Sequence, residues 1–319
     1  MTPAPRTPTR WRTWTALGLV YVVWGSTYLA IRYVVVGLPP LLTASSRFVM
    51  ASLLIGAFVL VRRGRASFRA TTRQWLGAGG IGLLLLLGGN GGVTLAEQAH
   101  LPSGLAALLV AGVPLFVVVL RLVSRDRPSA RTLVGVGIGF VGLAVLLLPD
   151  ARPTGVSLVA ACTVVGSSLA WSVGSFLATR VPLPADPLVT TIGEMVGGAI
   201  GLLVVGLLRG ERLHPGEVRT SSVAALAYLV VFGSVVAFTA YSWLLGTVPV
   251  SRVATYAYVN PVVAVVLGAV VAGEHVTPVS MVGGAITVLA VAVVVSEQHP
   301  PRVVHVPVER QGLSRSART

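Results

Sequence analysis

The chain reads as an all-α integral membrane protein, with ten transmembrane helices arranged as two inverted five-helix repeats. Three observations predict this: charge is scarce, apolar runs of spanning length recur along the chain, and the sequence matches itself at a fixed offset. Of 319 residues, 54% are hydrophobic and only 11% are charged, against about 25% charged in a soluble domain. Mean hydropathy is +0.85. A net charge of +14 would point to nucleic acid in a soluble protein. Here the basic residues fall between apolar runs, where the positive-inside rule accounts for them. The expected partners are therefore a bilayer and a small-molecule substrate, with no nucleic acid.

A helix crossing the hydrocarbon core needs about 20 apolar residues. Ten runs qualify: Trp14–Val36, Leu41–Val61, Trp75–Leu95, Pro102–Leu120, Thr132–Leu148, Val156–Ala178, Leu188–Leu208, Val223–Leu245, Val250–Ala272 and Val279–Val295. They are rich in Leu and Val without long period-2 alternation, which favours helices over a β-barrel. The first run is too long for a signal-peptide core and lacks a small-x-small cleavage site, so it is expected to be retained. Short connections such as "GLPP" and "GEHVTP" make successive helices antiparallel neighbours.

Arginine sets the orientation, since every one of the 24 basic residues is Arg. With the N-terminus inside, the inner segments hold 18 of the 24, among them Arg6, Arg62, Arg63, Arg121, Arg180, Arg252, Arg302, Arg310, Arg315 and Arg318. The outer loops hold Arg152, Arg209, Arg212 and Arg219. The last three run against the rule and are partly balanced by Glu211 and Glu217. Both termini are thus expected in the cytoplasm of a plasma or inner-membrane protein, with cytoplasmic tails at 1–13 and 297–319, the second polar and disordered.

The repeat appears as ordered matches. "TYLAIR" (Thr27–Arg32) falls on "SFLATR" (Ser175–Arg180) at an offset of 148, as does Pro39 on Pro187 and Gly135 on Gly283. Pro102 falls on Pro249, and Pro114 on Pro261, at 147. The halves are 14–149 and 150–296. Five helices per half is odd, so the second half starts from the opposite side of the membrane. Two inverted, near-equivalent halves are a recurring plan of secondary transporters, with the substrate site near the midplane between them.

The motifs "WGSTYLAIRY", "PPLLTASSRF", "GNGGVTLAEQAHLPSGLAALLVAGVPLF" and "ATYAYVNPVVAVVLGAVVAGEHVTP" resemble the drug/metabolite transporter superfamily. Within it they resemble the EamA-domain permeases and their YedA-like drug/metabolite exporter branch. The resemblance spans residues 14 to 296. It implies ten helices in two EamA repeats, export of small organic molecules such as amino acids and drugs, and a central cavity lined largely by helices 1, 3, 4, 6, 8 and 9. Arg47 occupies the family's "RF" position, and Tyr258 to Pro261 its "YVNP". The acid after helix 9 is present as Gly273-Glu274, but "RDRP" stands in its place after helix 4.

Polar and aromatic residues within spans are the candidates for function. Asn90 lies about 15 residues into helix 3, roughly 22 Å from its inner end. It must find a partner there, either as helix–helix glue or as a cavity hydrogen-bonding group. Glu97, with Arg32 and Arg47, is expected near the outer rim, Glu97 pairing with Arg47 or Arg32 as a brace or a gate, or simply solvated. Glu194, six residues into helix 7, could carry a coupling proton, snorkel to the interface, or pair with Arg180. Trp24, Tyr28, Trp171, Tyr241, Tyr256 and Tyr258 are candidate substrate-cavity aromatics, with core packing as the alternative. Asn260 joins them and could satisfy the carbonyl that Pro261 frees. Pro114 and Pro261 break helical hydrogen bonding mid-span and are candidate bending points. Gly88/Gly92, Gly135/Gly139 and Gly197/Gly201 have small-xxx-small spacing for close packing. The single cysteine, Cys162, excludes an intramolecular disulfide and is expected to be a small buried residue.

There is no phosphate loop for ATP, no mid-membrane His for haem, and no metal cluster or nucleophile–base pair. No cofactor, metal site or catalytic residue is expected, and the chain reads as a non-enzyme. A secondary exporter working by alternating access is the leading reading; a non-transporting scaffold or sensor on a transporter fold is the alternative. Substrate, coupling ion and oligomeric state are not given by these features.

Overall fold

A computed structural model describes residues 10–125, 127–153, 155–245, 253 and 255–296. The tails at 1–9 and 297–319, with Arg6, Arg302, Arg310, Arg315 and Arg318, lie outside these, as do Arg252 and the start of the ninth run. Among the described residues there is no strand. A helix lies at each apolar run: α1 (Arg10–Val35), α2 (Pro40–Arg63), α3 (Thr72–Gln98), α4 (Ser103–Val123), α5 (Ala130–Leu146), α6 (Leu158–Ala178), α7 (Pro187–Leu208), α8 (Thr220–Tyr241, its last turns reaching Leu245), α9 (Tyr256–Ala272) and α10 (Pro278–Ser296). Eight are long and apolar enough to cross a membrane; α5 and α9 are shorter apolar helices of 17 residues each.

Polar residues at the run edges start these helices. Thr71 and Gln74 form a reciprocal capping box at α3, with Thr71 N donating to Gln74 Oε1 at 2.8 Å and Gln74 N to Thr71 Oγ1 at 3.3 Å. Ser129, Ser157 and Asp186 cap α5, α6 and α7. Proline occupies the cap position of α2 (Pro39) and α4 (Pro102) and offers no side-chain acceptor. Distant carboxylates supply those caps instead. Glu211 Oε2 accepts from Leu41 N (2.9 Å) and Leu42 N (3.0 Å). Glu274 accepts from Ser103 N (2.9 Å) and Gly104 N (3.0 Å). Each joins the first half of the chain to the second, and each places negative charge at a positive helix terminus.

The helices pack mainly across the two halves. α1 lies on α9, and α6 on α4. α1 also lies on α8, and α6 on α3; α3 lies on α7, and α8 on α2; α2 pairs with α7, and α5 with α10. Exchanging the halves leaves this pairing scheme unchanged. Backbone geometry follows it too: α3 becomes a π-helix over Leu83–Gly91 and α8 over Leu229–Val236, at nearly the sequence offset of the repeat.

Small residues let the helices close. A Cβ on Gly88 would lie 2.8 Å from Ala170 Cβ, and one on Gly92 2.0 Å from Ser167 Oγ, so this pair seats α3 on α6. A Cβ on Gly139 would meet Leu115 at 2.5 Å, and one on Gly201 would meet Leu83 at the same distance. The outer surface carries exposed Leu53, Val61, Leu76, Val159, Leu208, Val270 and Leu289. An apolar surface this extensive is uncommon on a water-soluble monomer and suits contact with lipid. Cys162 belongs to it: it is exposed on α6, not buried as the sequence suggests, because an apolar solvent removes the need to bury a thiol.

Candidate functional site

The helix pairs enclose a central cavity of about 330 Å³, within the range of small-molecule sites. α1 contributes Trp24, Thr27 and Tyr28; α2 Arg47 and Phe48; α3 Gly89 and Asn90; α4 Ala111 and Pro114; α6 Ser167, Ser168 and Trp171; α8 Gly233, Phe238 and Tyr241; α9 Tyr256, Asn260 and Pro261. Helix 2 is not among those expected to line it and brings the cavity its one arginine among the described residues. Seven of the eight sequence candidates for the cavity lie on its wall. Tyr258 does not: it packs against the apolar cluster around Val93, Leu105 and Leu109. Two residues along a helix point about 200° apart, so Tyr256 and Tyr258 cannot share one wall.

Trp24 is the hub of an aromatic cluster. Its ring centroid lies 5.3 Å from Phe238, 5.1 Å from Tyr241 and 5.2 Å from Tyr256, in the tilted and edge-on geometries aromatic pairs prefer. Its indole Nε1 donates to Gly233 O at 3.2 Å, so the π segment of α8 holds the hub. Asn260 Nδ2, its amide oriented to satisfy its neighbours, donates to Tyr256 O (3.2 Å) and Tyr21 O (3.1 Å). It ties α9 to α1. This differs from the expectation that it would serve the carbonyl freed by Pro261, which belongs to Ala257, four residues before the proline.

The two prolines behave differently. Pro261 sits inside an uninterrupted α9. At Pro114 the helix is divided: α4 stops at Val110 and resumes at Val113, and Pro114 lies in the first turn of the second segment, where a missing N–H costs nothing. Asn90 faces the cavity at the end of the α3 π segment, and its buried Oδ1 has no hydrogen-bond partner among the described residues. π segments are frequent at functional sites.

The charged residues depart most from expectation. Arg32 pairs with Glu274, in contact between the Arg32 Nη1 and Glu274 Oε1 atoms. Arg47 lies in the cavity wall, not at a rim, and its Nε donates to Ser234 Oγ at 2.9 Å. Neither pairs with Glu97. That residue is 3% exposed, and among the described residues neither of its carboxylate oxygens has a hydrogen-bond partner. The side chain has the length to reach a partner, but α3 ends against α1, α2, α4 and α6, and Glu274 has already engaged Arg32. Glu194 makes no ion pair with Arg180, whose Nη1 donates to Phe176 O (2.9 Å) and Thr179 Oγ1 (3.0 Å). Glu194 does not line the cavity; its electrostatic neighbour there is Tyr241. Ser234 has no signal in the sequence; Glu274 stands out there as the acid of the "GE" after α9, but not as the partner of Arg32.

An unpaired buried carboxylate costs stability, so Glu97→Gln is expected to leave thermal stability in detergent unchanged or raised. A loss of melting temperature would mean that Glu97 carries a bond this geometry lacks.

Comparison with known proteins agrees with this architecture. The EamA-like transporter family matches residues 12–148 and again 158–296. The chain is 36% identical over 301 residues to the uncharacterized inner membrane transporter YedA of Escherichia coli K12, covering 94% of this chain and 96% of that one. It is 24% identical over 281 residues to a probable amino-acid metabolite efflux pump of Salmonella typhimurium, covering 85% and 90%. A solved crystal structure shares the fold with a TM-score of 0.61 at 21% identity, covering 91% of this chain and 98% of that one.

Proposed function

The chain belongs to the EamA-like transporter family of multi-pass membrane proteins, and from that premise we propose that it exports small organic metabolites, amino acids and related compounds or drugs, by alternating access. The observation that carries this is the cavity's place between two halves whose packing is unchanged on exchange. Two near-equivalent halves offer inward-open and outward-open arrangements of similar energy. In this reading ten spans form two inverted repeats, 14–149 and 150–296, with both termini cytoplasmic. The division of α4 before Pro114 supports a bending point on the cavity wall. Trp24, Tyr28, Asn90, Trp171, Tyr241, Tyr256 and Asn260 contact the cargo. The Arg32–Glu274 pair ties α1 to the first turn of α4, outside the cavity lining.

Reconstitution into proteoliposomes tests it. Saturable, counterflow-stimulated flux of a labelled metabolite is the expected result. Folded protein with no flux of any metabolite that differs between cells with and without the gene favours the scaffold reading. A proton-coupled cycle has Glu194 and Glu97 available, since among the described residues neither makes a side-chain hydrogen bond or ion pair. Unchanged pH-driven flux in Glu194→Gln removes Glu194 from the cycle.

A further inference from the structure

We propose that the cavity selects an organic carboxylate, held through its anionic group by the Arg47 guanidinium, with an apolar or aromatic body lying along the Trp24 cluster. The inference rests on the transport reading and names the cargo class of that same cavity.

Arg47 is 5% exposed yet lines the cavity. Its one hydrogen bond among the described residues is Nε to Ser234 Oγ. Arg32 and Arg63 have carboxylate partners in Glu274 and Asp186, whereas Arg47 has no carboxylate within 4 Å among the described residues. The ring of Phe48, 4.8 Å from Arg47 Cζ, gives it a cation–π contact but no counter-charge. A buried cation without an anion is expensive in a low-dielectric interior. The deficit is the size and sign of one carboxylate. Guanidinium is also the side chain whose paired N–H groups match a carboxylate's two oxygens, and both Nη atoms of Arg47 are uncommitted.

The surroundings define the rest of the cargo. Gly233 is the meeting point: a Cβ there would lie 3.3 Å from Arg47 Nη2, and its carbonyl accepts from Trp24 Nε1. The head-group site is therefore contiguous with the rings of Trp24, Phe238, Tyr241 and Tyr256. Across the same cavity the Asn90 amide oxygen has no donor, which favours a cargo that also carries an N–H. Sulfate, chloride and other small anions supply the charge without the body.

Binding to the purified full chain in detergent, read by quenching of intrinsic tryptophan fluorescence, tests this without requiring transport. The probes are matched pairs at equal ionic strength: phenylalanine against phenylalaninamide, leucine against leucinamide, and 3-phenylpropionate against 3-phenylpropanamide. Carboxylates are expected to bind about 10- to 100-fold tighter than their amide partners, the size of a charge-assisted hydrogen-bond pair. Arg47→Gln is expected to erase that ratio, and Arg47→Lys to retain part of it. The wild-type ratio stands even where a variant does not fold. The proposal is overturned if no carboxylate binds, if the partners of each pair bind equally, or if chloride or sulfate competes as well as the carboxylates. Carboxylate-selective binding with no flux in proteoliposomes would support this site and sink the transport reading. Flux of amides as readily as acids would do the reverse.

Discussion

Replacing Glu274 with Ala is expected to cost about 3 kcal/mol or more, the scale of breaking a buried ion pair together with losing a helix cap. The carboxylate is 3% exposed and serves three partners besides Arg32: Ser103 N at 2.9 Å, Ser103 Oγ at 2.8 Å and Gly104 N at 3.0 Å. Arg32 is 38% exposed, so its charge is partly screened. The larger share of the loss comes from α4, whose own cap residue is proline and cannot replace the missing acceptor. Melting temperature in detergent should fall by roughly 10 °C. Glu211→Ala is the internal comparison. It removes the corresponding cap from α2, but Glu211 serves only two backbone N–H groups through one oxygen and has no arginine. Its cost should be about 1 kcal/mol. Equal effects from the two substitutions would mean that the Arg32 pair and the Ser103 hydroxyl contribute nothing. An unchanged melting temperature in Glu274→Ala would contradict the cap itself.

How much of this was legible in sequence depends on the range of the interaction. The helices were legible because a run of Leu and Val long enough to span a bilayer has few alternatives. The aromatic wall was largely legible because Trp24 and Trp171 lie deep in their runs, where an interfacial belt is a poor explanation. Tyr258 was misplaced by neglect of helical azimuth, which Tyr256 alone could have corrected. The charged residues were illegible for a different reason. Depth along a helix can be counted, but which neighbour a side chain faces cannot. Counting placed Glu97, Arg32 and Arg47 at one level and invited a pair among them. The partners of Arg32 and Arg47, Glu274 and Ser234, are 242 and 187 positions away, on the other half of the chain. The repeat did contain a hint: if the halves pack against each other, an acid in one half is a natural partner for a base in the other. The π segments left only the glycine-rich run around Asn90 as a trace, and no rule of spacing separates a π turn from an α turn there.

Gly82→Ala is expected to destabilise the protein by several kcal/mol, although it adds a single methyl group. A Cβ at Gly82 would lie 1.9 Å from Glu194 O, 2.6 Å from Glu194 C and 2.8 Å from Glu194 Cα. Overpacking by a methylene against side chains costs about 1–3 kcal/mol; here the obstructing atoms are backbone, which cannot change rotamer. The seam continues on both sides. A Cβ on Gly197 would stand 2.4 Å from Gly79 O, one on Gly198 2.9 Å from Gly82 O, and one on Gly193 2.7 Å from Ala78 Cβ. α3 and α7 therefore touch backbone to backbone, and the extra methyl must push them apart. The control lies two residues away on the same helix. A Cβ on Gly80 meets nothing within 4 Å, and alanine's better helix propensity should make Gly80→Ala neutral or stabilising by up to about 1 kcal/mol. Thermal unfolding of the two variants in detergent decides the matter. If Gly82→Ala melts like Gly80→Ala, the helices are not in backbone contact. If it melts far below, the seam also becomes a functional lever. The π segment carrying Asn90 starts at Leu83, the next residue, so a displaced α3 would move the cavity wall with it. A variant that stays folded but displaced should then lose cargo binding while Gly80→Ala keeps it.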